Sequence, residues 1–304
     1  MKPKFLLVAD TPNWAFDFHC KELQKRLTEF DIGIGYSRSG QVAKMAEKYD
    51  YVYVLDPMPM QYPPKNKTIM GLRNEFLYRE HPRGAQGLFE KGFPGRCVDI
   101  ASKCCAFHVV NKNLYNVFKD IVKPMPFFLA QHGVDTALFD PTKYEKKDNK
   151  VLKVSVSGRS SSNKGFDLVA QACKELGWQT VMAQYGRSIK PKEQMPAFYN
   201  DADIHVCASL TEGLNNGILE AGAMGLPVIS TRSGAAEEII QDGYNGLLID
   251  RNVKALKDAL VELELSAIRK NMGACLRQEI ITNWSWDVRI DDYRKMFNAI
   301  INLK

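Results

Sequence analysis

Two glutamates, Glu212 and Glu220, bracket the small-residue run Thr211-Glu-Gly-Leu-Asn-Asn-Gly-Ile-Leu-Glu220. The run follows an apolar stretch, Ile204 to Ala208, and leads into an Ala/Gly-rich segment of helical character, Ile218 to Met224. A strand, a Gly/Asn turn and a helix N-terminus in that order offer backbone N–H groups to an anion. A carboxylate aimed at a phosphate would repel it, so Glu212 and Glu220 are expected to accept hydrogen bonds from hydroxyl groups instead. Amides for phosphate and carboxylates for hydroxyls, on one loop, point to a sugar nucleotide. A second loop, Ser157-Gly-Arg-Ser-Ser-Ser-Asn-Lys-Gly165, supplies the cations Arg159 and Lys164, suited to a diphosphate. Its glycines, Gly158 and Gly165, let the backbone approach a ligand closely.

The elements that must hold these loops are legible as alternating apolar runs and helical patterns. In the first half, strands are expected at 5–9, 32–36, 51–55, 68–72, 106–110 and 126–130, and helices at 16–27, 41–48, 98–105 and 114–121. A polar segment, 140–150, interrupts the pattern. The pattern then restarts, with strands at 152–157, 180–183, 204–208, 227–231 and 246–249 and helices at 166–176, 195–200, 218–224, 235–241 and 253–265. The final segment, Trp284 to Leu303, carries a broad apolar stripe. Strand–helix alternation argues for parallel sheets with right-handed crossovers. In such sheets ligands bind beyond the carboxyl ends of strands, where both loops fall.

Taken together, Gly158-Arg159…Lys164-Gly165, Glu212-Gly213…Glu220-Ala221, Gly225-Leu-Pro-Val-Ile-Ser230 and Gly234-Ala-Ala-Glu-Glu238 resemble the group 1 retaining glycosyltransferases of GT-B fold. His132-Gly-Val-Asp-Thr-Ala-Leu-Phe139 is similar to that family's interdomain segment, with His132 in place of Asn, and Trp284-Ser-Trp286 to the entry of its last helix. The resemblance covers residues 126–300 well and the N-terminal half in outline. It implies an α/β protein with two Rossmann-like doubly wound domains and an interdomain cleft. The expected division is an acceptor domain at 1–140, a linker at 141–150, a nucleotide-sugar domain at 151–283 and a helix at 284–304 returning to the first domain.

The resemblance also implies roles. Arg159 and Lys164 would hold the donor diphosphate and stabilise charge on the departing nucleoside diphosphate, and Glu212 would contact donor-sugar hydroxyls; these three form the expected catalytic set. Gly158, Tyr185, Gly213, Leu214, Asn215, Asn216 and Gly217 would complete the donor site, with Glu220 on the ribose. The sugar would be transferred with retained configuration, by front-face attack, from a UDP- or GDP-linked donor, without metal or other cofactor. Asp10-Thr-Pro-Asn-Trp14 stands where many members have a Gly-Gly turn, and Gly71 or Arg73 where many have a histidine. Asp201-Ala-Asp203 fits a metal–diphosphate pattern but reads as a cap and turn between a helix and a strand.

Bulk properties bound the remaining choices. At 304 residues, 45% hydrophobic and 25% charged, two globular domains are the better prior. The apolar runs fall short of the roughly 18 residues of a membrane span. Seven scattered cysteines without a C-x-x-C pair read as reduced thiols, and a cytoplasmic location follows, with peripheral membrane association as an option. Residues 1–150 hold 23 of the 41 basic and 17 of the 35 acidic residues, leaving 18 of each for the rest, so the net charge of +6 sits in the first half. Lys65, Lys67, Arg73, Arg79, Arg83, Lys91, Arg96 and Lys103, interleaved with Phe76, Tyr78, Phe89 and Phe93, form a basic stretch that fits an anionic acceptor: modified DNA, a lipid-linked glycan or a membrane surface. Two other readings share the donor site, a nucleotide-sugar epimerase and a non-catalytic nucleotide-sugar binding protein.

Overall fold

The strands form where apolar residues run without alternation. Tyr51–Val54, Ala106–Val109, Ile204–Cys207 and Val228–Thr231 are buried at every position, as expected of parallel strands covered on both faces. The computed structural model describes residues 1–56, 60–73, 102–120, 125–146, 149–159, 162–185 and 191–303, with backbone only at 159, 162 and 185. The chain divides into two units, residues 1–132 with 289–304, and residues 133–288.

Among the described residues the first unit holds six parallel strands, β1 (Lys4–Ala9), β2 (Asp31–Tyr36), β3 (Tyr51–Val54), β4 (Thr68–Leu72), β5 (Ala106–Val109) and β6 (Phe127–Leu129), in the order β2-β1-β3-β4-β5-β6. Its described helices are α1 (Ala15–Arg26), α2 (Val42–Ala46) and α3 (Lys112–Phe118). The helix expected at 98–105 falls largely outside the described residues. In the second unit β7 (Lys153–Arg159), β8 (Gln179–Tyr185), β9 (Ile204–Cys207), β10 (Val228–Thr231) and β11 (Leu247–Ile249) form a parallel sheet in the order β11-β10-β9-β7-β8. Helices α4 (Phe166–Leu176), α5 (Met195–Asn200), α6 (Asn216–Ala223), α7 (Ala236–Ile239) and α8 (Val253–Glu262) join these strands or follow the last. This is the expected pair of Rossmann-like sheets, and every predicted strand is present.

One long helix of the second unit escapes sequence reading. α9 (Ser266–Asn283) buries only a narrow stripe, Met272, Gly273, Leu276 and Ile280, and leaves other apolar residues, Ile268 and Ile281 among them, exposed. The stripe meets α6 at very short range. A Cβ on Gly222 would lie 2.9 Å from Leu276, and one on Gly273 would lie 2.1 Å from the Gly225 carbonyl oxygen. Arg277 of α9 donates to the Ala223 carbonyl at the end of α6. α9 therefore fixes the helix that carries Glu220.

The last helix, α10 (Trp286–Ile301), carries Phe297, which stacks on Phe5 of β1 with ring centroids 4.2 Å apart and planes 8° apart. Tyr293, one turn earlier, is fully buried against His19 and His108. The broad apolar stripe thus closes the core of the first unit.

Candidate active site

In the second sheet the strand order reverses between β7 and β9, so the loops beyond their carboxyl ends flank the switch point where such sheets take ligands. These are the two loops singled out by residue type. They are locked together. Asn163 accepts from the Thr211 N–H (3.0 Å) and donates to the Thr211 carbonyl (3.0 Å), while its own carbonyl accepts from Leu210 N–H (2.7 Å). Gly165 begins α4 with φ of +66°, and a Cβ there would stand 2.4 Å from the Ala208 carbonyl oxygen, so only glycine fits both demands. Lys164 passes over Gly158, where a Cβ would meet its side chain at 3.1 Å.

Lys164 pairs directly with Glu212, and Ser209 Oγ donates to the same carboxylate oxygen at 2.6 Å. The cation assigned to the diphosphate and the carboxylate assigned to the sugar are therefore neighbours, although 48 positions apart. Both stay partly open to solvent, at 20% and 13% side-chain exposure, which leaves the pair accessible to a ligand. The Gly234-Ala-Ala segment cradles this turn. Gly234 takes φ of +59°, a Cβ there would stand 2.3 Å from the Gly213 carbonyl oxygen, and Ala235 N–H donates to that oxygen at 2.9 Å. From β10, Thr231 Oγ1 donates to the Ser209 carbonyl at 2.5 Å, and Arg251 Nε donates to the Ala208 carbonyl at 2.9 Å.

Asn215 caps α6, its Oδ1 accepting from Gly217 N–H at 2.7 Å. Gly213 and Leu214 are buried beneath the turn, and Asn215 and Asn216 are half-buried. Glu220 lies on the second turn of α6, 6% exposed. Lys192 pairs with its Oε1, and Tyr199 donates to its Oε2 at 3.0 Å. Sequence reading missed Lys192, Tyr199, Ser209 and Asn163. Lys192, Tyr199 and Asn163 act across gaps of 28, 21 and 48 positions that no local spacing announces, whereas Ser209 stands three positions before Glu212. The described backbone puts Arg159 and Tyr185 at the carboxyl ends of the adjacent strands β7 and β8. Their side chains lie outside the described residues, as does Arg187 beyond them.

Burial sets the electrostatics. His205, on β9, is 1% exposed and its pKa is lowered to about 3, first by loss of water and then by the positive charge of Lys164. It stays neutral, with Ser155 Oγ 3.0 Å from Nδ1. Burial, and then the Glu220 carboxylate, push the Tyr199 hydroxyl well above its ordinary value, so it remains a donor. Asp201 and Asp203 tie the turn after α5 to the start of β7: Asp203 Oδ2 accepts from Lys153 N–H (2.9 Å) and Asn149 (3.0 Å), and Asp201 pairs with Lys153 (2.8 Å).

The first unit corrects one expectation. Arg73, counted in the basic acceptor surface, is 6% exposed and is held inside the unit. Its guanidinium donates to the Leu55 carbonyl (2.8 Å) and to Tyr53 Oη (2.7 Å). Of the remaining stretch, Lys67 donates to the carbonyls of Ala46 (2.9 Å) and Tyr49 (3.3 Å), and Lys103 lies 5.7 Å from the Tyr62 ring centroid. Residues 79, 83, 91 and 96, with the aromatics at 76, 78, 89 and 93, lie outside the described residues. A groove of about 600 Å³ lined by Tyr51, Pro64, Lys67 and Ile300 opens at the amino-terminal end of the first sheet, the end opposite to ligand loops. No helix among the described residues is long and apolar enough to cross a membrane.

Residues 144–265 match the family model described as "Glycosyl transferases group 1". A "GDP-mannose-dependent alpha-(1-6)-phosphatidylinositol monomannoside mannosyltransferase" of Mycobacterium tuberculosis is 36% identical over 104 residues, 31% of this chain and 27% of that protein. An "Uncharacterized glycosyltransferase MJ1178" of Methanocaldococcus jannaschii is 32% identical over 159 residues, 45% of each chain. The chain thus spans less than half the length of these curated relatives. In structure, a sucrose-phosphate synthase of Thermosynechococcus elongatus superposes with a TM-score of 0.77 at 13% identity, covering all of both chains. Anabaena HepE, crystallised with UDP and glucose, gives 0.70 at 12% identity over 97% of this chain and 99% of its own. The two-domain GT-B fold is thereby shared, and residues 144–265 carry a group 1 glycosyl transferase domain.

Proposed function

We propose that the chain, as a group 1 glycosyl transferase, moves a sugar from a nucleoside diphosphate sugar to an acceptor hydroxyl. The observation that carries this reading is the Lys164–Glu212 pair, held by two interlocked loops at the switch point of the second sheet. Lys164 has a diphosphate within its reach if the donor lies across α6, and its charge stabilises the leaving nucleoside diphosphate as the glycosidic bond breaks. Arg159, on the family resemblance, shares that task. The N-terminus of α6 adds a fixed dipole of the same sign. Glu212 accepts from donor-sugar hydroxyls and Glu220 from the ribose, each keeping a lysine beside it so that a carboxylate can stand next to an anion.

Transfer proceeds with retention, by front-face attack, and with this positive charge in place the reading needs no metal. The donor is UDP- or GDP-linked: the mycobacterial relative is named for GDP-mannose, and HepE was crystallised with UDP and glucose. The acceptor in this reading is a hydroxyl of a glycan or lipid, met in the cytoplasm or at a membrane surface.

A thermal-shift panel of nucleoside diphosphate sugars, followed by NMR of the products formed with the best ligand, tests the proposal. A UDP- or GDP-sugar raises Tm, and Lys164→Ala abolishes the rise. An unchanged shift in the variant removes Lys164 from the donor site, and an epimerised sugar as sole product removes the transferase reading.

A further inference from the structure

A carboxylate that reads hydroxyl groups is selective only if its orientation is fixed, and three residues from two segments of the chain converge to fix Glu220. Lys192 lies in the turn before α5, Tyr199 lies within α5, and Ser157 lies near the end of β7. Tyr199 is fully buried, its Oη 3.0 Å from Glu220 Oε2 and 3.2 Å from Ser157 Oγ. An ionised carboxylate can only accept, so the single hydroxyl proton of Tyr199 goes to Glu220, and Ser157 must donate to Tyr199. The direction of the chain Ser157→Tyr199→Glu220 is therefore settled by chemistry. The other carboxylate oxygen, Oε1, is paired with Lys192, whose ammonium stands 4.9 Å from the Phe139 ring centroid. Lys192 retains 23% side-chain exposure.

The two oxygens are thus unequal. Oε2 is committed to a buried hydroxyl that cannot leave without losing its partner. Oε1 faces a partly exposed lysine, and it is there that a ligand hydroxyl can share the carboxylate. The chain also ties Glu220 to the strand that leads into the Arg159–Lys164 loop. At the first turn of α6, a Cβ on Gly217 would stand 3.1 Å from Ser157 Oγ, so helix and strand are in direct contact.

We propose that Tyr199 and Lys192 are positioning residues that fix the Glu220 carboxylate so that it selects a nucleoside diphosphate bearing ribose hydroxyls over one lacking them. The inference rests on the donor reading above. Lys192 also offsets the carboxylate charge, which allows Glu220 to sit beside a diphosphate without repelling it.

Isothermal titration with UDP and GDP, each against its 2′,3′-dideoxy counterpart, tests the inference. The unaltered chain binds the ribose form of its preferred nucleotide roughly tenfold or more tightly than the dideoxy form, as hydrogen bonds to a charged group require. Tyr199→Phe keeps the ring and removes the hydroxyl; Lys192→Met keeps the chain length and removes the charge. In each variant the ratio falls below about threefold, the loss of one charge-assisted hydrogen bond. Circular dichroism melting of both confirms folding, and Lys192→Met, at a partly exposed position, serves if Tyr199→Phe does not fold. A folded variant that keeps the original ratio removes that residue from the proposed role. Equal binding of ribose and dideoxy forms by the unaltered chain overturns instead the placement of ribose on Glu220, so the two failures are told apart.

Discussion

The two sheets share one strand order through their first five strands, yet the polar groups near their carboxyl ends are arranged in opposite ways. In the first unit a buried guanidinium, Arg73, is satisfied by neutral acceptors, the Leu55 carbonyl and Tyr53. Tyr53 in turn donates to His108 Nδ1 at 2.5 Å, because His108 Nε2 is committed as donor to the Ala130 carbonyl at 2.6 Å. The cluster is closed on itself and lies inside the unit. In the second unit the charged groups are lysine–carboxylate pairs, Lys164–Glu212 and Lys192–Glu220, in which both lysines keep solvent contact. A closed cluster strengthens a fold, whereas an ion pair whose lysine keeps solvent contact can exchange partners with a ligand. The difference favours the second sheet for the proposed donor chemistry and gives the polar core of the first a structural duty.

The largest expected difference between the units is in stability. Arg73→Met leaves two buried acceptors without a donor, and a loss of about 1–3 kcal/mol is expected in urea denaturation. Lys164→Ala, in contrast, costs under about 1 kcal/mol in the same assay, because its pair is partly hydrated. Equal losses for the two variants would erase the distinction.

Acid sharpens it further. His19 and His108 in the first unit are held well below the ordinary histidine pKa, by burial first and then by Arg73. His205 in the second unit is lowered to about 3. Each is neutral when folded but takes up a proton when unfolded below about pH 6.5, so each favours the folded state above that pH and loses its contribution as the pH falls toward the folded pKa. The expected slope is about 1.4 kcal/mol per pH unit for each histidine. With two such groups against one among the described residues, amide protection factors, corrected for the intrinsic pH dependence of exchange, are predicted to fall more in the first unit between pH 7 and pH 5. Protection factors that do not change with pH, or that fall more in the second unit, would contradict this assignment.

Much of the fold was legible because it rests on runs of apolar residues that parallel strands bury on both faces. The two loops of the candidate site stood out because each gathers charged residues and glycines in a short segment. α9 was not, since only four of its residues are buried, other apolar residues such as Ile268 and Ile281 face outward and blur the pattern, and two of its close contacts depend on glycines. Arg73 looked like surface because sequence shows charge but not the carbonyl and tyrosine that satisfy it inside. Lys192 and Tyr199 were hidden for a related reason: their partner, Glu220, lies 28 and 21 positions away. Only the fold makes them neighbours.

The central claim is that the donor binds at the carboxyl end of the second sheet. The most direct test is a crystal structure of the chain grown with the nucleoside diphosphate that gives the largest thermal shift. The account predicts the diphosphate within hydrogen-bond reach of Lys164 and the ribose against Glu220. A nucleotide seated at the first sheet, or one that leaves both lysine–carboxylate pairs untouched, would contradict it.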